Sequence, residues 1–455
     1  MSLAQAVVLC GGEGRRMRPL LGDLPKVFAP LAGRPLLARL LGDLAAGGIE
    51  QVLLVGGPDL ARHEEAVSRL APSGLELDLL IETARGGTAG ALLVAERRLD
   101  QRFFLVYGDL ITALDWQRLG AAASRNGGLA TLVVHRSDHP WDSDVIRLAD
   151  DGRVIGWRRP GGSRDKWPGA SREPLLGNSG VRVLSRDLLR FVARDRPTDL
   201  DRELLPWQVA ARAEVFGYVT SEYIRDVGTP KRLAAAEADL LAGRTAKRAE
   251  LAIIDRDGTL VDAPGGRPPL TAAELRLVPG AARGLGRLNR AGVRAVLATN
   301  QAAVARGLMS ESELERQHAR LVELLAREGA HLDEIHVCPH HPEAHYREGR
   351  AALRGPCECR KPSTGMVEAA LRRAGIAPWR AVVVGDSSTD LQLAQNSGLP
   401  GVGVETGAAC RDGVYPASAT WRFTDFAAAA AWLAESGSGE AGPAQTPAPS
   451  RRTMK

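Results

Sequence analysis

Three of the five cysteines in the chain lie in two short clusters that also contain a histidine, Cys338-Pro-His340 and Cys357-Glu-Cys359. Three thiolates and one imidazole are a common ligand set of closed, tetrahedral zinc sites. The second cluster runs directly into Arg360-Lys361, so a bound zinc would fix the position of two cations. We therefore predict a structural zinc site with the ligands Cys338, His340, Cys357 and Cys359.

A disulfide and a nucleophilic cysteine are the alternatives for this stretch. Disulfides are rare in the cytoplasm, the compartment that this sequence favours, and a pair of aspartates elsewhere already accounts for a nucleophile. Two further histidines, His341 and His345, are not predicted to bind the metal. We expect them to face solvent or to form hydrogen bonds with the metal ligands. Cys10 and Cys410 are interpreted as small core or loop residues.

Two aspartates, Asp255 and Asp257, directly follow the apolar segment Leu251–Ile254 and precede a glycine. With this spacing, one carboxylate can attack phosphorus and form an aspartyl phosphate, while the other protonates the leaving oxygen. Such a reaction also needs a hydroxyl and a cation for the phosphoryl oxygens, and further carboxylates for Mg²⁺. Later strand ends supply these groups. The catalytic candidates are Asp255, Asp257, Thr299 and Lys361, and the Mg²⁺ candidates are Asp255, Asp257 and Asp386.

The order of these motifs resembles the haloacid dehalogenase phosphohydrolases over about residues 250–410, including Ala305-Arg306-Gly307 and the motif at residues 385–390. The pattern is most similar to the D-glycero-D-manno-heptose-1,7-bisphosphate 7-phosphatases. Histidinol-phosphate phosphatases share the cysteine-rich loop and are the nearest alternative. The resemblance implies an open site without a large cap, with substrate contacts from Asn300, Arg306 and Arg360.

A glycine-rich loop, Gly11-Gly-Glu-Gly-Arg15, follows the apolar residues 6–10. Glycines let backbone N–H groups approach phosphate oxygens, and arginine adds charge-assisted hydrogen bonds. The loop has neither the Walker ending nor the GxGxxG spacing, and alone it is equally consistent with a simple tight turn. The segments that follow narrow the interpretation: Pro25-Lys26, residues 82–90, Tyr107-Gly-Asp109, residues 177–180 and residues 226–230.

This series resembles the sugar-1-phosphate nucleotidyltransferases over residues 5–235, and most closely the branch that activates mannose-type sugars and D-glycero-D-manno-heptose 1-phosphate. The resemblance implies a triphosphate site formed by Gly11, Gly12, Gly14 and Arg15, with Lys26 at the phosphates of the reacting centre. It assigns Asp109 and Asp226 to Mg²⁺, Gly87 and Thr88 to the base pocket, and Asn178 to the sugar. One departure leaves the identity of the sugar open: Trp157-Arg158-Arg159-Pro160 stands where much of the family has Glu-Lys-Pro.

These motifs lie at the ends of short apolar segments that alternate with helical patterns. Continuous apolar strands suit parallel sheets buried on both faces, so the predicted fold class is α/β. We predict two Rossmann-like domains, a nucleotidyltransferase fold and a haloacid dehalogenase-like fold with a zinc loop. The predicted boundaries are residues 1–235, a linker at 236–249, a second domain at 250–436 and a disordered tail at 437–455. Residues 157–174 are predicted as a mobile loop.

Composition narrows the choice of partners. The chain has 455 residues, and its 59 basic residues are interspersed with 54 acidic ones, so phosphorylated small molecules are favoured over nucleic acid. The sequence has no stretch of 18 apolar residues and no signal-peptide pattern, which predicts a cytoplasmic location and no membrane association. A homo-oligomer is left open.

The presence of both halves in one chain favours a bifunctional enzyme. A heptose-1,7-bisphosphate 7-phosphatase releases heptose 1-phosphate, and a sugar-1-phosphate nucleotidyltransferase consumes such a product, with GTP favoured by the resemblance. Mg²⁺ is predicted in both domains and zinc in the second. One alternative is a mannose-like guanylyltransferase fused to a phosphatase of other specificity. The other, suggested by Arg158, is a first half that senses a nucleotide without catalysis.

Overall fold

The computed structural model describes residues 3–12, 15–83, 86–136, 144–149, 151–159, 176–342 and 350–435. Two compact units divide the chain between Arg248 and Ala249. Of the predicted linker at 236–249, the first six residues continue a helix of the first unit, and the rest up to Arg248 also belongs to that unit. The predicted tail at 437–455, Gly14, His345 and most of the predicted mobile loop lie outside the described residues.

The first unit contains strands and helices in alternation over much of its length. Its described strands are β1 (Gln5–Leu9), β2 (Pro30–Leu31), β3 (Arg34–Pro35), β4 (Gln51–Gly56), β5 (Glu76–Ile81), β6 (Arg102–Tyr107), β7 (Leu110–Ala113), β8 (Ala130–Arg136), β9 (Val145–Leu148), β10 (Val154–Arg158), β11 (Leu176–Ser185), β12 (Val215–Val219) and β13 (Tyr223–Asp226). Its described helices are α1 (Arg18–Leu21), α2 (Leu36–Ala46), α3 (Pro58–Ala61), α4 (Glu64–Ser68), α5 (Gly87–Ala95), α6 (Trp116–Asn126), α7 (Leu205–Ala210) and α8 (Pro230–Leu241).

The main sheet of this unit has a parallel half and a largely antiparallel half. Strands β5, β4, β1 and β6 are parallel, and β1 is buried along its whole length, as expected for a continuous apolar strand between two layers. Strand β11 joins β6 in the antiparallel sense and also pairs with β8 and β9, while β12 lies parallel to β8. The predicted α/β class is confirmed, and the antiparallel half is an addition to the predicted Rossmann-like pattern.

The second unit is a six-stranded parallel sheet with helices between the strands. Its strands are β14 (Leu251–Ile254), β15 (Arg294–Asn300), β16 (Glu334–Cys338), β17 (Ala381–Gly385), β18 (Gly401–Val404) and β19 (Trp421–Phe423). Its helices are α9 (Ala281–Arg290), α10 (Glu311–Ala326), α11 (Gly365–Ala374), α12 (Ser388–Ser397) and α13 (Phe426–Ala434). Apolar side chains of β14, β15 and β17 pack against α11 and form one core of the unit.

Both sheets reverse their strand order beside their first strand. In the first unit β1 lies between β4 and β6, and in the second unit β14 lies between β15 and β17. Ligands of open α/β sheets bind outside the carboxyl ends of the strands at such a reversal. The segments that follow β1 and β6, and those that follow β14 and β17, are therefore where a site is expected. Across the described residues, no helix is both long and apolar enough to cross a membrane.

Candidate active sites and a candidate metal centre

The centre of the second site is a buried lysine between two aspartates. Lys361 Nζ lies 2.5 Å from Asp255 Oδ1 and 2.6 Å from Asp390 Oδ1. Asp255 directly follows β14, and Asp390 lies in the first turn of α12, where the Ser387 hydroxyl donates to its other oxygen at 2.5 Å. Burial opposes the Lys361 cation, but Asp255 and Asp390 outweigh it and raise the pKa of the lysine. Lys361 is thus held as a cation beside a candidate nucleophile.

Three carboxylates of this site meet closely enough to share a cation. One oxygen each from Asp255, Asp386 and Asp390 lies within 4.8 Å of the others. Burial raises the pKa of Asp255, with Lys361 opposing, and burial raises that of Asp386 to about 6, with a hydrogen bond from the Ala408 N–H opposing. Hard carboxylate oxygens are suitable Mg²⁺ ligands, so the donor set fits this ion.

Asp257 was predicted as a third Mg²⁺ ligand, but its carboxylate does not join this group. The fully buried Arg256 donates to both Asp257 oxygens, from Nε at 2.9 Å and from Nη2 at 3.0 Å. Gln301 Nε2 donates to the same carboxylate at 2.8 Å and to Thr299 Oγ1 at 2.7 Å. The adjacent guanidinium therefore occupies the oxygens that a metal would need, while the predicted Thr299 lies next to Asp257 through Gln301.

The three predicted substrate-binding side chains of this unit all contact the lysine or the cysteine-rich loop. Asn300 forms a reciprocal pair with the backbone of Lys361, accepting from its N–H at 3.0 Å and donating to its carbonyl at 3.1 Å. Arg360 Nη1 donates to the His340 carbonyl at 3.0 Å. Arg306 Nη2 lies 2.8 Å from Nε2 of the buried His341. These hydrogen bonds hold the three side chains in position before any substrate binds.

The four predicted zinc ligands come together at the end of β16 and in the loop before Arg360. Cys338 Sγ lies 3.6 Å from Cys357 Sγ and 3.7 Å from His340 Nδ1, and Cys359 Sγ lies 3.4 Å and 3.3 Å from the same two atoms. A tetrahedron with Zn–S bonds of about 2.3 Å has S–S edges of about 3.8 Å, so these spacings fit the ion. Burial raises the pKa of Cys338, and a divalent cation would offset that cost.

In the first unit, Lys26 and two aspartates meet at the edge where β6 ends. Lys26 Nζ lies 2.5 Å from Asp109 Oδ2. Asp226 ends β13, whose antiparallel pairing with β7 brings it beside Asp109, and the Val227 N–H donates to the Asp109 carbonyl at 2.9 Å. A Cβ on Gly228 would lie 2.9 Å from Asp226 Oδ1 and 3.2 Å from Lys26 Nζ, so Gly228 lies against both of these side chains. The predicted residues Lys26, Asp109 and Asp226 thus lie near one another, while the two Asp226 oxygens accept from Arg232 Nη1 at 2.5 Å and from the Gly228 N–H at 2.9 Å.

The predicted nucleotide-binding glycines lie in two neighbouring loops. Gly11 and Gly12 follow β1, and a Cβ on Gly11 would lie 3.8 Å from a Glu82 carboxylate oxygen. The other Glu82 oxygen accepts from the Gly86 N–H at 2.7 Å. Gly87 has a φ of +75° and opens α5, where a Cβ would lie 2.5 Å from the Thr198 carbonyl. Glu82 therefore lies beside the first loop and is hydrogen-bonded to the second.

Thr88 and Arg15 complete the predicted nucleotide-binding residues. The Thr88 hydroxyl accepts from the Leu200 N–H at 2.7 Å, so it ties α5 to the segment that follows Thr198. Arg15 begins a short 3₁₀ helix, Arg15–Met17, directly after the glycine loop.

Asn178, predicted to contact a sugar, belongs to a polar group centred on Asp201. Its Nδ2 donates to Asp201 Oδ1 at 3.1 Å, and the Tyr107 hydroxyl donates to the other oxygen at 2.5 Å. The fully buried Arg182 donates to the same carboxylate at 2.5 Å and 3.3 Å. Burial raises the pKa of Tyr107. Asp201 thus orients Asn178 beside the end of β6.

Four of these residues were not among the sequence candidates: Asp390, Arg256, Gln301 and Asp201. Asp390 lies four residues after Asp386 in a motif that was quoted for its carboxylates, so the signal was present. Arg256 stands between the two aspartates, and Gln301 is the last residue of the motif Ala298-Thr299-Asn300-Gln301 that supplied Thr299. Asp201 carried no sequence signal that we can name, because its partners come from distant strands.

Comparison with known proteins agrees with this division into two chemistries. A model of the MobA-like NTP transferase domain matches residues 6–215, and a HAD-hydrolase-like model matches residues 358–429. The predicted combination of nucleotidyltransferase and haloacid dehalogenase-type domains is confirmed.

The chain is similar to enzymes that carry one or the other domain. It is 30% identical to the mannose-1-phosphate guanylyltransferase of Mycobacterium tuberculosis over 240 residues, which are 52% of this chain and 65% of that relative. It is 38% identical to the D-glycero-D-manno-heptose-1,7-bisphosphate 7-phosphatase of Thermosynechococcus vestitus over 187 residues, which are 40% of this chain and 93% of that relative. The crystal structure of HddC from Yersinia pseudotuberculosis covers 52% of this chain and 100% of its own, with 21% identity and a TM-score of 0.45.

Proposed function

The chain belongs to the D-glycero-D-manno-heptose-1,7-bisphosphate 7-phosphatase family, and on that premise we propose that it is a bifunctional enzyme of nucleotide-activated heptose synthesis. Its second unit would remove the 7-phosphate of the bisphosphate. Its first unit would then transfer GMP from GTP to the remaining 1-phosphate and release pyrophosphate. The observation that carries the proposal is the placement of Lys361 between Asp255 and Asp390 in a chain that also holds the Lys26–Asp109 site.

In the phosphatase reaction, a carboxylate oxygen of Asp255 attacks phosphorus, and the bond from phosphorus to the sugar oxygen breaks. The departing oxygen takes the electron pair and receives a proton from Asp257. Water then attacks the aspartyl phosphate and gives its proton to Asp257, which releases phosphate and restores Asp255. Lys361 and the Thr299 hydroxyl would neutralise and orient the phosphoryl oxygens during both steps.

We propose Asp255 and Asp386 as the side chains that hold Mg²⁺ in the second unit, with Asp390 as the anchor of Lys361. A bound Mg²⁺ would supply neutralisation of the negative charge during phosphoryl transfer. Asp390 is a weaker candidate ligand because Lys361 and the Ser387 hydroxyl already use its two oxygens.

Zinc is proposed for the cluster of three cysteines and His340, in a structural role. The His340 carbonyl accepts from Arg360, which directly precedes Lys361. A fixed cysteine-rich loop would therefore hold Arg360 and Lys361 at the site. Arg306, held against His341, would face the 1-phosphate at the far end of the substrate together with Arg360.

For nucleotidyl transfer, the sugar phosphate oxygen attacks the α-phosphorus of GTP, and pyrophosphate leaves with the electron pair of the broken bond. This reaction depends on positioning and charge neutralisation rather than on a covalent intermediate. The chain supplies Lys26 for the phosphates, Asp109 for Mg²⁺, and the loop of Gly11 and Gly12 for the triphosphate. Asp226 is a weaker candidate as the second Mg²⁺ ligand, because Arg232 and the Gly228 N–H already use its two oxygens. Asn178, oriented by Asp201, is proposed to contact the sugar.

A coupled assay tests both activities. The purified protein is incubated with Mg²⁺, each anomer of D-glycero-D-manno-heptose 1,7-bisphosphate and each of the four common nucleoside triphosphates, and products are identified by mass spectrometry. We expect free phosphate and GDP-heptose. The same assay is repeated with mannose 1-phosphate as the acceptor. If phosphate is released from the bisphosphate but no nucleotide sugar forms with either acceptor, the transferase proposal is refuted. If GDP-mannose is the only nucleotide sugar formed, the sugar substrate of the first unit is reassigned to mannose 1-phosphate.

A further inference from the structure

The candidate general acid Asp257 is held by a buried hydrogen-bond network of two side chains that do not themselves take part in the proposed proton transfer. Its carboxylate receives two N–H groups from Arg256 and one from Gln301, at 2.8 to 3.0 Å. Arg256 is completely buried, and Gln301 is 2% exposed. Arg256 also donates to Gln317 Oε1 on α10 and to Gln301 Oε1, both at 3.0 Å. A buried network of this kind fixes the direction of the carboxylate.

The amide of Gln301 can take only one orientation in this network. A guanidinium can only donate hydrogen bonds, so the Arg256 contact settles the orientation of the amide whether or not Asp257 carries a proton. The oxygen of Gln301 must therefore face Arg256, and its nitrogen must face Asp257. The same nitrogen donates its second N–H to the Thr299 hydroxyl at 2.7 Å. One side chain thus sets the position of two catalytic candidates.

The contact with Thr299 also fixes which way its hydroxyl points. A threonine hydroxyl has one proton to donate and accepts through its lone pairs. Because Gln301 donates to it, the Thr299 proton is left to donate to a phosphoryl oxygen. The other N–H of the same Gln301 amide donates to the Asp257 carboxylate and holds it in place.

We propose that Gln301 is a positioning residue that aims Asp257 at the leaving oxygen and the Thr299 proton at the phosphoryl group. This inference rests on the proposed aspartyl-phosphate mechanism. Without Gln301, transfer of the Asp257 proton to the departing oxygen becomes inefficient. Cleavage of an ester whose leaving group departs as a stable anion needs that proton least, because the oxygen can leave without it. The cost of losing Gln301 should therefore depend on the leaving group.

The experiment measures kcat/KM for a series of simple phosphate esters, from p-nitrophenyl phosphate through phenyl phosphate to a primary alkyl phosphate. In Gln301→Met, which keeps the length of the side chain but cannot hydrogen-bond in this way, we expect a loss of about 10²-fold or more for the alkyl ester. For p-nitrophenyl phosphate we expect kcat/KM to fall by no more than about tenfold, because only the lost contact with Thr299 then affects the reaction. An equal loss for all esters would overturn the proposal.

Two comparisons separate positioning from a loss of stability. Gln317→Met removes a neighbour of Arg256 that touches neither Asp257 nor Thr299, and its effect should be the same for every ester. In an Asp257→Asn background, Gln301→Met should cost no more for the alkyl ester than for p-nitrophenyl phosphate, since the acid is already absent. Full additivity in that background would show that Gln301 does not act through Asp257.

A second variant covers the case in which Gln301→Met does not fold, and the wild-type enzyme covers the case in which the proposed substrate is wrong. If Gln301→Met does not fold, Gln301→Leu also removes the hydrogen bonds to Asp257 and Thr299 without adding a charge, and should show the same dependence on the leaving group. If the wild type cleaves these esters but not heptose bisphosphate, the proposed substrate fails and the inference stands. A wild type that cleaves no phosphate ester overturns both.

Discussion

Replacement of Cys357 by serine removes one of the four side chains that join the end of β16 to the loop before Lys361. Cys357 and Cys338 are 19 residues apart, and their sulfur atoms lie 3.6 Å apart. A cross-link that closes a loop of this length lowers the entropy of the unfolded chain by an amount worth about 3 kcal/mol at room temperature. Because a metal bound by these ligands acts as such a cross-link, we expect Cys357→Ser to lower the unfolding free energy of the second unit by about 3 kcal/mol.

The assay needs a signal that belongs to the second unit alone. Hydrogen exchange of peptides from β14, β16 and α11 in a urea series reports the opening of that unit, while zinc content is measured on the same samples. The Arg360–His340 contact should loosen with the cluster, so phosphatase kcat/KM should fall by about 10- to 100-fold, as for other residues that orient a site indirectly.

Cys410→Ser is the matched control, because Cys410 lies outside the cluster of Cys338, His340, Cys357 and Cys359. We expect it to keep its zinc and the exchange protection of α11. The reasoning would be refuted if Cys357→Ser bound zinc as the wild type does. It would also be refuted if zinc were lost while protection and phosphatase activity stayed unchanged.

Three further predictions concern single side chains. Asp255→Asn should lower phosphate release by at least about 10⁴-fold and leave nucleotidyl transfer to heptose 1-phosphate unchanged, as two separate sites require. Lys26→Met should lower nucleotidyl transfer by about 10²- to 10³-fold at full phosphatase activity, because it removes a cation from the developing charge. Burial raises the pKa of Asp43 to about 7, so its folded form keeps a proton that the unfolded chain loses above about pH 4. The stability of the first unit should therefore fall between pH 4 and pH 7 by an amount on the order of 4 kcal/mol, and urea unfolding of Asp43→Asn should show a flatter pH profile.

The sequence was sufficient to predict which strand ends meet, because this follows from topology. Asp255 and Asp386 follow β14 and β17, which are adjacent parallel strands, so any α/β fold with this order brings them together. The cysteine cluster was predictable for a similar reason, since two short clusters supply a complete ligand set. The pairing of Asp109 with Asp226 required the family resemblance, because their contact depends on the antiparallel β7–β13 ladder.

The partner of Asp257 could not be predicted from the same pattern. Two aspartates at positions i and i+2 indicate a division of labour but not where each side chain points. Asp257 is turned by the intervening Arg256, which is held by Gln317 at a separation of 61 residues. Asp390 was present in a quoted motif, but its role depends on the start of α12, where a capping box with Ser387 directs its carboxylate toward Lys361. Such details depend on packing between distant elements.

The two sites contain the same pair of groups, and exposure decides which chemistry each can perform. In both, a lysine nitrogen lies 2.5 Å from a carboxylate at the carboxyl edge of the sheet, Lys26 with Asp109 and Lys361 with Asp255. The Asp109 side chain is 34% exposed and that of Asp255 is 11% exposed. A carboxylate that only binds a metal can remain hydrated, whereas one that also attacks phosphorus, as proposed for Asp255, must lose its water shell first. We therefore assign the covalent step to Asp255, and expect no phosphorylated intermediate at Asp109.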